Sequence, residues 1–289
     1  MDRLATLLHK NAMTFQSPAE HDGGSGLPPA SSPRSFRTPR TIVALLLREM
    51  QTSYGRNPGG YVWAILEPVA ALALFTVVIS TGLRVRTPSI GTNFPLFFAT
   101  GLLVFQMVIQ TAGNVAGSIR SSKPLLFYPG VKYTDAIIAR FLMISITHIM
   151  VFVIIMTGIH VVFDLATIRN EAAIVGAIVM ALLVGLGIGT LNCFLFSVWA
   201  PWTSTWRILT RPLLIISTVI FALEDVDSEF HVYLLWNPIV HVIGLMRRGF
   251  YATYDAPWVS PVYVMSVALV TLTLGLIFLH RFHRGILNR

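Results

Sequence analysis

The chain has 289 residues, of which 54% are hydrophobic and only 12% are charged, with 21 Lys and Arg against 13 Asp and Glu. Soluble domains carry about 25% charged residues, so this composition excludes an ordinary soluble protein and predicts an all-α integral membrane protein. The single cysteine, Cys193, excludes an internal disulfide and a metal site made of cysteines. We attribute the excess positive charge to membrane topology and predict no nucleic-acid partner.

Residues 1–38 are rich in Pro, Gly and Ser and lack the pattern of a packed core, which predicts a mobile cytoplasmic tail. In residues 39–56, apolar residues recur at helical spacing up to Tyr54, while Arg48 and Glu49 fall on the other face. This pattern predicts a helix that lies in the cytoplasmic interface of the membrane. The alternative is a polar lead-in to the first span.

Long apolar runs predict six membrane spans, since an apolar helix of ~20 residues crosses the hydrocarbon core. The predicted spans are residues 61–82, 94–116, 141–163, 172–198, 204–223 and 258–279. The basic residues set the orientation, because 16 of the 21 Lys and Arg residues lie in cytoplasmic segments if the N-terminus is inside. Both termini are therefore predicted to be cytoplasmic.

Charged residues in or beside the spans are candidates for a polar pathway, because a charge surrounded by lipid is costly. Glu67 lies about one to two turns into the first span, where it either faces such a pathway or pairs with a neighbouring arginine. Arg207 and Arg211 share one face of the fifth span. They either snorkel to the inner surface or line a wet cavity.

The cytoplasmic connection at residues 120–135 combines basic residues with an apolar patch from Leu125 to Tyr128. A solvated loop has little reason to display four consecutive large apolar residues. The patch either docks onto a cytoplasmic partner or packs against the membrane interface.

The segment at residues 225–256 is apolar, but Pro238 interrupts it and neither half is long enough to span a membrane. Such a segment is tolerated at membrane depth only where protein or water surrounds it. We therefore predict a re-entrant helical hairpin that enters from the external side between the fifth and sixth spans. Arginines and aromatic rings suit contact with acidic groups and sugars, although a belt at the membrane interface uses the same residue types. The candidate conduit residues of the hairpin are Trp236, His241, Arg247, Arg248, Tyr251 and Tyr254.

Catalytic motifs are missing from the sequence: it contains no P-loop, no metal-ligand spacing of histidines and no nucleophile motif. We therefore predict that the chain is not an enzyme and binds no metal or cofactor of its own. Asp225 and Asp227 have the spacing of a metal-binding pair in some glycosyltransferases, which keeps a membrane glycosyltransferase as an alternative; an acidic external rim is the simpler interpretation. A secondary transporter would need coupling carboxylates at mid-membrane, and the spans offer almost none beyond Glu67.

Three stretches of the sequence resemble the signatures of one known family. They are Arg48–Pro68, Ser121–Leu126 and Leu234–Arg247. In order and spacing they are similar to type-2 ATP-binding-cassette exporter permeases, and most of all to the capsular polysaccharide export permeases of Gram-negative bacterial inner membranes. The resemblance covers residues 40–285 and leaves out the tail.

The resemblance implies a homodimer with two separate cytoplasmic ATPase subunits, which would bind ATP and Mg, and with periplasmic or outer-membrane export proteins as further partners. It implies that a lipid-linked polysaccharide moves through a conduit between the two copies, with residues 225–256 as the external gate. O-antigen, teichoic acid or another lipid-linked glycan is the alternative substrate. The implied contacts with the ATPase, in the coupling segment 120–135, are Ser121, Lys123, Pro124, Leu125 and Phe127. The implied residues of the gate helix at 39–56 are Arg48, Glu49, Tyr54 and Arg56.

Overall fold

The structure is a computed structural model that describes residues 37–54, 60–79, 88–126, 131–165 and 170–287. Within these residues the regular structure is helical and contains no β-strand. The helices are α1 (Arg37–Tyr54), α2 (Gly60–Val77), α3 (Phe94–Ala116), α4 (Ser118–Leu126), α5 (Tyr133–Phe163), α6 (Glu171–Val198), α7 (Trp202–Ile216), α8 (Ser228–Leu235), α9 (Pro238–Phe250) and α10 (Pro261–Leu287). Residues 1–36 of the predicted tail and Arg56 lie outside the described residues, whereas Arg37 and Thr38 belong to α1.

Four helices, α3, α5, α6 and α10, are long and apolar enough to cross a membrane. Helix α2 is apolar but shorter, and α7 has 15 residues, which correspond to ~22 Å against a hydrocarbon core of ~30 Å. The prediction of an all-α membrane protein is therefore confirmed. The count of six spans stays a prediction.

The bounds of the long helices follow the predicted spans closely in α3 and α6 and less closely in α5 and α10. Helix α5 begins at Tyr133, ahead of the predicted start at residue 141, because its first turn is capped. The Asp135 carboxylate accepts a hydrogen bond from the Lys132 backbone N–H at 3.1 Å. This carboxylate satisfies a backbone donor that would be unpaired at the helix start, among charged residues where hydropathy predicts no helix.

The predicted fifth span, residues 204–223, is not one continuous helix, because α7 ends at Ile216. Thr218 adopts a left-handed conformation with φ of 58°, through which a right-handed helix does not continue. The carbonyl groups of Val219 and Phe221 then bond to the Arg247 side chain. The chain beyond the end of α7 is thus bonded to a residue far along the sequence.

Helix α6 lies at the centre of the fold, where it packs against α3, α9 and α10. Its glycines allow the close approach. A methyl group at Gly185 would lie 2.9 Å from the Val108 carbonyl oxygen, and one at Gly187 would lie 2.5 Å from that of Ala268. These distances indicate that the small residues of this helix serve close helix contact.

Helix α1 turns one face to the protein and leaves much of its apolar face exposed. Leu45 and Glu49 are buried, whereas Val43 and Leu47 are each 55% exposed. Glu49 forms an ion pair with Arg140 of α5, which explains why a carboxylate lies on the protein-facing side. The exposed apolar face remains available to the membrane interface.

Candidate gate segment

The interrupted apolar segment forms two short helices, α8 and α9, that meet at Asn237 and Pro238. We call residues 223–258 the gate segment. The Asn237 side chain caps α9, accepting a hydrogen bond from the Ile239 N–H at 3.0 Å, and it donates to the Ser217 hydroxyl at 2.8 Å. An asparagine cap followed by proline at the first helical position is a strong start signal. The break is therefore a fixed corner joined to the end of α7.

His241 holds this corner against helix α10. Its Nδ1 accepts the backbone N–H of Ser260 at 3.2 Å, so the proton is assigned to Nε2, which lies 2.9 Å from the Leu235 carbonyl oxygen. The Tyr263 hydroxyl donates to the Trp236 carbonyl oxygen at 2.6 Å. These bonds use the carbonyl groups left free where α8 ends.

Arg247 is 1% exposed and lies in the protein interior, not on a surface. Its Nη1 donates to the Phe221 carbonyl oxygen at 3.0 Å and its Nη2 to that of Val219 at 3.3 Å. The guanidinium also lies 4.2 Å from the centre of the Phe97 ring, a cation–π contact. This one side chain therefore connects α3, α9 and the turn that follows α7.

Glu224 joins the two ends of the gate segment. Its carboxylate accepts hydrogen bonds from the Tyr254 hydroxyl at 3.0 and 3.2 Å and from the Trp258 indole N–H at 3.1 Å. Burial raises the pKa of the Tyr254 hydroxyl, and the charge and hydrogen bond of Glu224 raise it further. The hydroxyl therefore stays protonated at physiological pH and remains a donor.

Several large side chains of α8, and Trp236 directly after it, are exposed. Phe230, Val232, Tyr233 and Trp236 are between 55% and 76% exposed. Arg248, at the far end of α9, is also exposed and pairs with Asp255 at 3.5 Å. These side chains form the exposed face of the gate segment.

The candidate conduit residues therefore fall into three groups. Trp236 and Arg248 are exposed at the outer part of the gate segment, where Tyr254 is half-buried. His241, Arg247 and Tyr251 are buried and hold the segment in place. Glu67 on α2 and Arg207 and Arg211 on α7 are exposed on other helices, so the structure of the chain does not bring all nine residues together.

Glu67 lines a small polar cavity between α2, α3 and α5. Gln106, Gln110, Thr147 and His148 contribute the other polar side chains, and the volume of about 40 Å³ has room for a water molecule. Among the described residues, the ion pairs are Glu49–Arg140 and Arg248–Asp255. Within the described residues, Glu67 thus has polar neighbours and no arginine pairs with it.

The predicted coupling residues lie on helix α4, which directly follows α3 after Gly117. Ser121 and Pro124 are exposed, and Lys123 and Leu125 are half-buried, while Phe127 lies outside the described residues. On α1, Arg48 is half-buried and Glu49 is in its ion pair; the side chain of Tyr54 lies outside the described residues.

The acidic pair has a local structural role. The Asp225 carboxylate accepts the Ala222 N–H at 3.0 Å within the 3-10 turn Leu223–Asp225, and Asp227 occupies the position before the first turn of α8. Within the described residues, no three His, Cys, Asp or Glu side chains form a group that could hold a metal ion.

Four contributors to the gate segment were not predicted as site residues: Asn237, Ser217, Glu224 and Tyr263. The last three have partners far along the chain. Each acts through a bond to a residue at least 20 positions away in the chain. Asn237 could have been found, because Asn before Pro is a recognisable helix start. The other three give no local signal, since their partners are defined only by the fold.

No family model matches the chain, but several characterised proteins do. The polysialic acid transport protein KpsM of Escherichia coli is 32% identical over 82% of this chain and 91% of its own length. The capsule polysaccharide export inner-membrane proteins CtrC of Neisseria meningitidis and BexB of Haemophilus influenzae are 28% and 26% identical. Each of these two matches covers 86% of this chain and 92% of the relative.

Proposed function

The chain belongs to the type-2 ATP-binding-cassette exporter permeases, among the capsule polysaccharide export inner-membrane proteins, and we propose that it moves lipid-linked capsular polysaccharide out across the inner membrane. It is a transport permease and not an enzyme, so ATP and Mg would bind to a separate subunit. The observation that carries this proposal is the match to a polysialic acid transport protein over 82% of the chain.

We further propose that two copies of the chain enclose the conduit. Glu67, Arg207 and Arg211 are exposed on one protomer, and lipid is an unfavourable environment for charged side chains. A second copy that faces α2 and α7 would enclose these charges in a polar passage. The exposed side of α8 would then lie at the outer end of that passage.

In this proposal the gate segment is a re-entrant hairpin and both termini are cytoplasmic. Trp236, Arg248 and the half-buried Tyr254 are the contacts to glycan, because they keep exposed surface and combine aromatic rings with a cation. His241, Arg247 and Tyr251 are positioning residues, since their burial leaves them no access to a polysaccharide.

The coupling segment is proposed to carry the effect of ATP hydrolysis from two cytoplasmic ATPase subunits. Helix α4 supports this role because it is short, follows α3 directly and displays Ser121 and Pro124 at its surface. Periplasmic and outer-membrane export proteins would receive the polysaccharide on the other side.

Deletion of the gene in the native bacterium tests the function. We expect capsular polysaccharide to disappear from the surface and to accumulate inside, and we expect a plasmid copy to restore export. An unchanged capsule would contradict the proposal. Loss of O-antigen or another glycan from the surface, with the capsule intact, would assign the alternative substrate.

A further inference from the structure

A groove of about 500 Å³ lies outside the gate segment, between two corners of the helix bundle. One corner is the turn at Gly117, where α3 passes into α4, and the other is the turn at Ala200, where α6 passes into α7. In the proposed orientation both corners lie at the cytoplasmic surface of the membrane.

Two cations line this groove. Arg120 and Lys123 are three residues apart on α4 and therefore share a face. Within the described part of the chain, neither side chain has a hydrogen bond or an ion pair. The hydroxyl groups of Ser197 and Thr203, on the opposite wall, already donate to backbone carbonyl groups. An anion in the groove would thus be bound by the arginine and the lysine.

The remaining wall of the groove is apolar and lies beside aromatic side chains typical of a membrane interface. Ile119 and Phe196 contribute to the lining. Trp199, next to Ala200 in the sequence, is 53% exposed and stacks on Trp202 with the ring centres 5.9 Å apart. Tryptophan is enriched at the level of the lipid headgroups. The groove therefore offers positive charge and apolar surface at that level.

We propose that this groove binds the phosphate headgroup of an anionic phospholipid from the inner leaflet. Basic pockets between membrane helices on the cytoplasmic side bind such headgroups, and an arginine can hold a phosphate through two parallel hydrogen bonds. An acidic segment of a partner protein would satisfy the cations but would leave the apolar wall and the tryptophan pair without a role. The bound lipid would contact both the start of α4 and the end of α6 and so stabilise their packing.

Native mass spectrometry of the purified full chain tests the inference, with phosphatidylglycerol and phosphatidylcholine added in separate samples. We expect phosphatidylglycerol to be retained preferentially. Arg120→Gln with Lys123→Gln should lower that retention at least tenfold, and Ala200→Phe, which fills the groove without changing charge, should lower it similarly. Arg120→Lys with Lys123→Arg should preserve retention, because both charges remain.

The matched control for the loss of charge is Arg207→Gln with Arg211→Gln, which removes two exposed cations of α7 outside the groove. It should retain phosphatidylglycerol, because these two cations do not line the groove. Equal loss in this control, or no loss in the two groove variants, would overturn the inference. Displacement of the lipid by equimolar glycerol 3-phosphate would also overturn it, since a free phosphate would then be the ligand. Lipid retention is measured without export, so a negative result leaves the proposed transport function unaffected.

Discussion

At the scale of single residues, two adjacent arginines of α9 have opposite surroundings. Arg247 is buried and bonds two backbone carbonyl groups, whereas Arg248 is exposed and pairs with the exposed Asp255. A hydrogen bond to a charged group contributes about 1.5–3 kcal/mol, while an exposed ion pair contributes about 0–1 kcal/mol. The two positions therefore make a matched pair for mutation.

Replacement of Arg247 by Gln should destabilise the protein by about 3 kcal/mol, because carbonyl groups in the interior lose their donors. Thermal unfolding in detergent, followed by tryptophan fluorescence, measures the change. Arg248→Gln is the control and should shift the midpoint little. Arg247→Lys should restore only part of the loss, because an ammonium lacks the planar fork of the guanidinium. Equal unfolding midpoints for the Arg247→Gln and Arg248→Gln variants would contradict the positioning role of Arg247.

Sequence alone could not separate these two arginines, since both follow an apolar run and both suit contact with acidic sugar. What separates them is the position of Val219 and Phe221, which lie 28 and 26 residues away in the chain. Asn237 differs, because its side chain caps a helix that starts with the next residue. Its role could therefore be predicted from the neighbouring sequence.

At the scale of helices, the small residues of α6 determine how closely its neighbours approach. A methyl group at Gly187 would overlap the Ala268 carbonyl oxygen of α10, and a backbone atom cannot move aside cheaply. Gly158 of α5 serves as the control, because a methyl group added there would meet no atom within 4 Å. The two substitutions to alanine differ only in what the new methyl group meets.

Gly187→Ala should destabilise the protein by about 1–3 kcal/mol through overpacking, visible as a lower unfolding midpoint in detergent. Gly158→Ala should leave the midpoint unchanged or raise it, because alanine favours a helix. A drop of the same size at both positions would mean that helix contact is not the cause.

The ion pair between Glu49 and Arg140 fixes α1 to α5. Breaking a buried pair costs about 3 kcal/mol, which corresponds to a change on the order of 100-fold in the docking equilibrium. Glu49→Arg should therefore raise the rate at which a cysteine placed at Leu45 reacts with a thiol reagent. The reversed pair, Glu49→Arg with Arg140→Glu, should recover most of the protection. Failure of the reversed pair to recover any would show that the charges themselves do not hold α1.

The exposed end of α4 is the proposed contact with the ATPase. Pro124→Gly with Leu125→Ala should abolish co-purification of the ATPase subunit and should leave membrane insertion and the unfolding midpoint unchanged, since Pro124 is exposed and Leu125 only half-buried. Lys132→Ala, an exposed change in the same cytoplasmic connection, is the control and should keep the complex. Normal ATPase binding in the double variant would remove the coupling role of this helix.

The helices differ in how far the sequence determined them. Uncharged runs predicted α3 and α6 closely, and Pro238 predicted the break between α8 and α9. The end of α7 could not be predicted, because the apolar run continues to Leu223, whereas the chain turns at Thr218 and the carbonyl groups beyond it bond to the distant Arg247. Which side of α1 is buried could not be predicted for a similar reason, since the partner of Glu49 lies on another helix.

At the scale of the whole molecule, one protomer leaves charged and aromatic side chains at its surface. Glu67 of α2 and Arg207 of α7 are exposed, and so is Trp236 at the end of α8. In the proposed assembly these three positions face a second copy across the conduit. If the conduit lies between two copies, its outer end, where Trp236 is placed, must open to the external side of the membrane.

The most direct test of this account is the side of the membrane from which residue 236 can be reached. The buried Cys193 is replaced by alanine, Trp236 by cysteine, and a membrane-impermeant thiol reagent is applied first to intact spheroplasts and then to inverted vesicles. We expect labelling from the external side, and weaker labelling when polysaccharide is trapped during export. Labelling only from the cytoplasmic side would contradict an external gate.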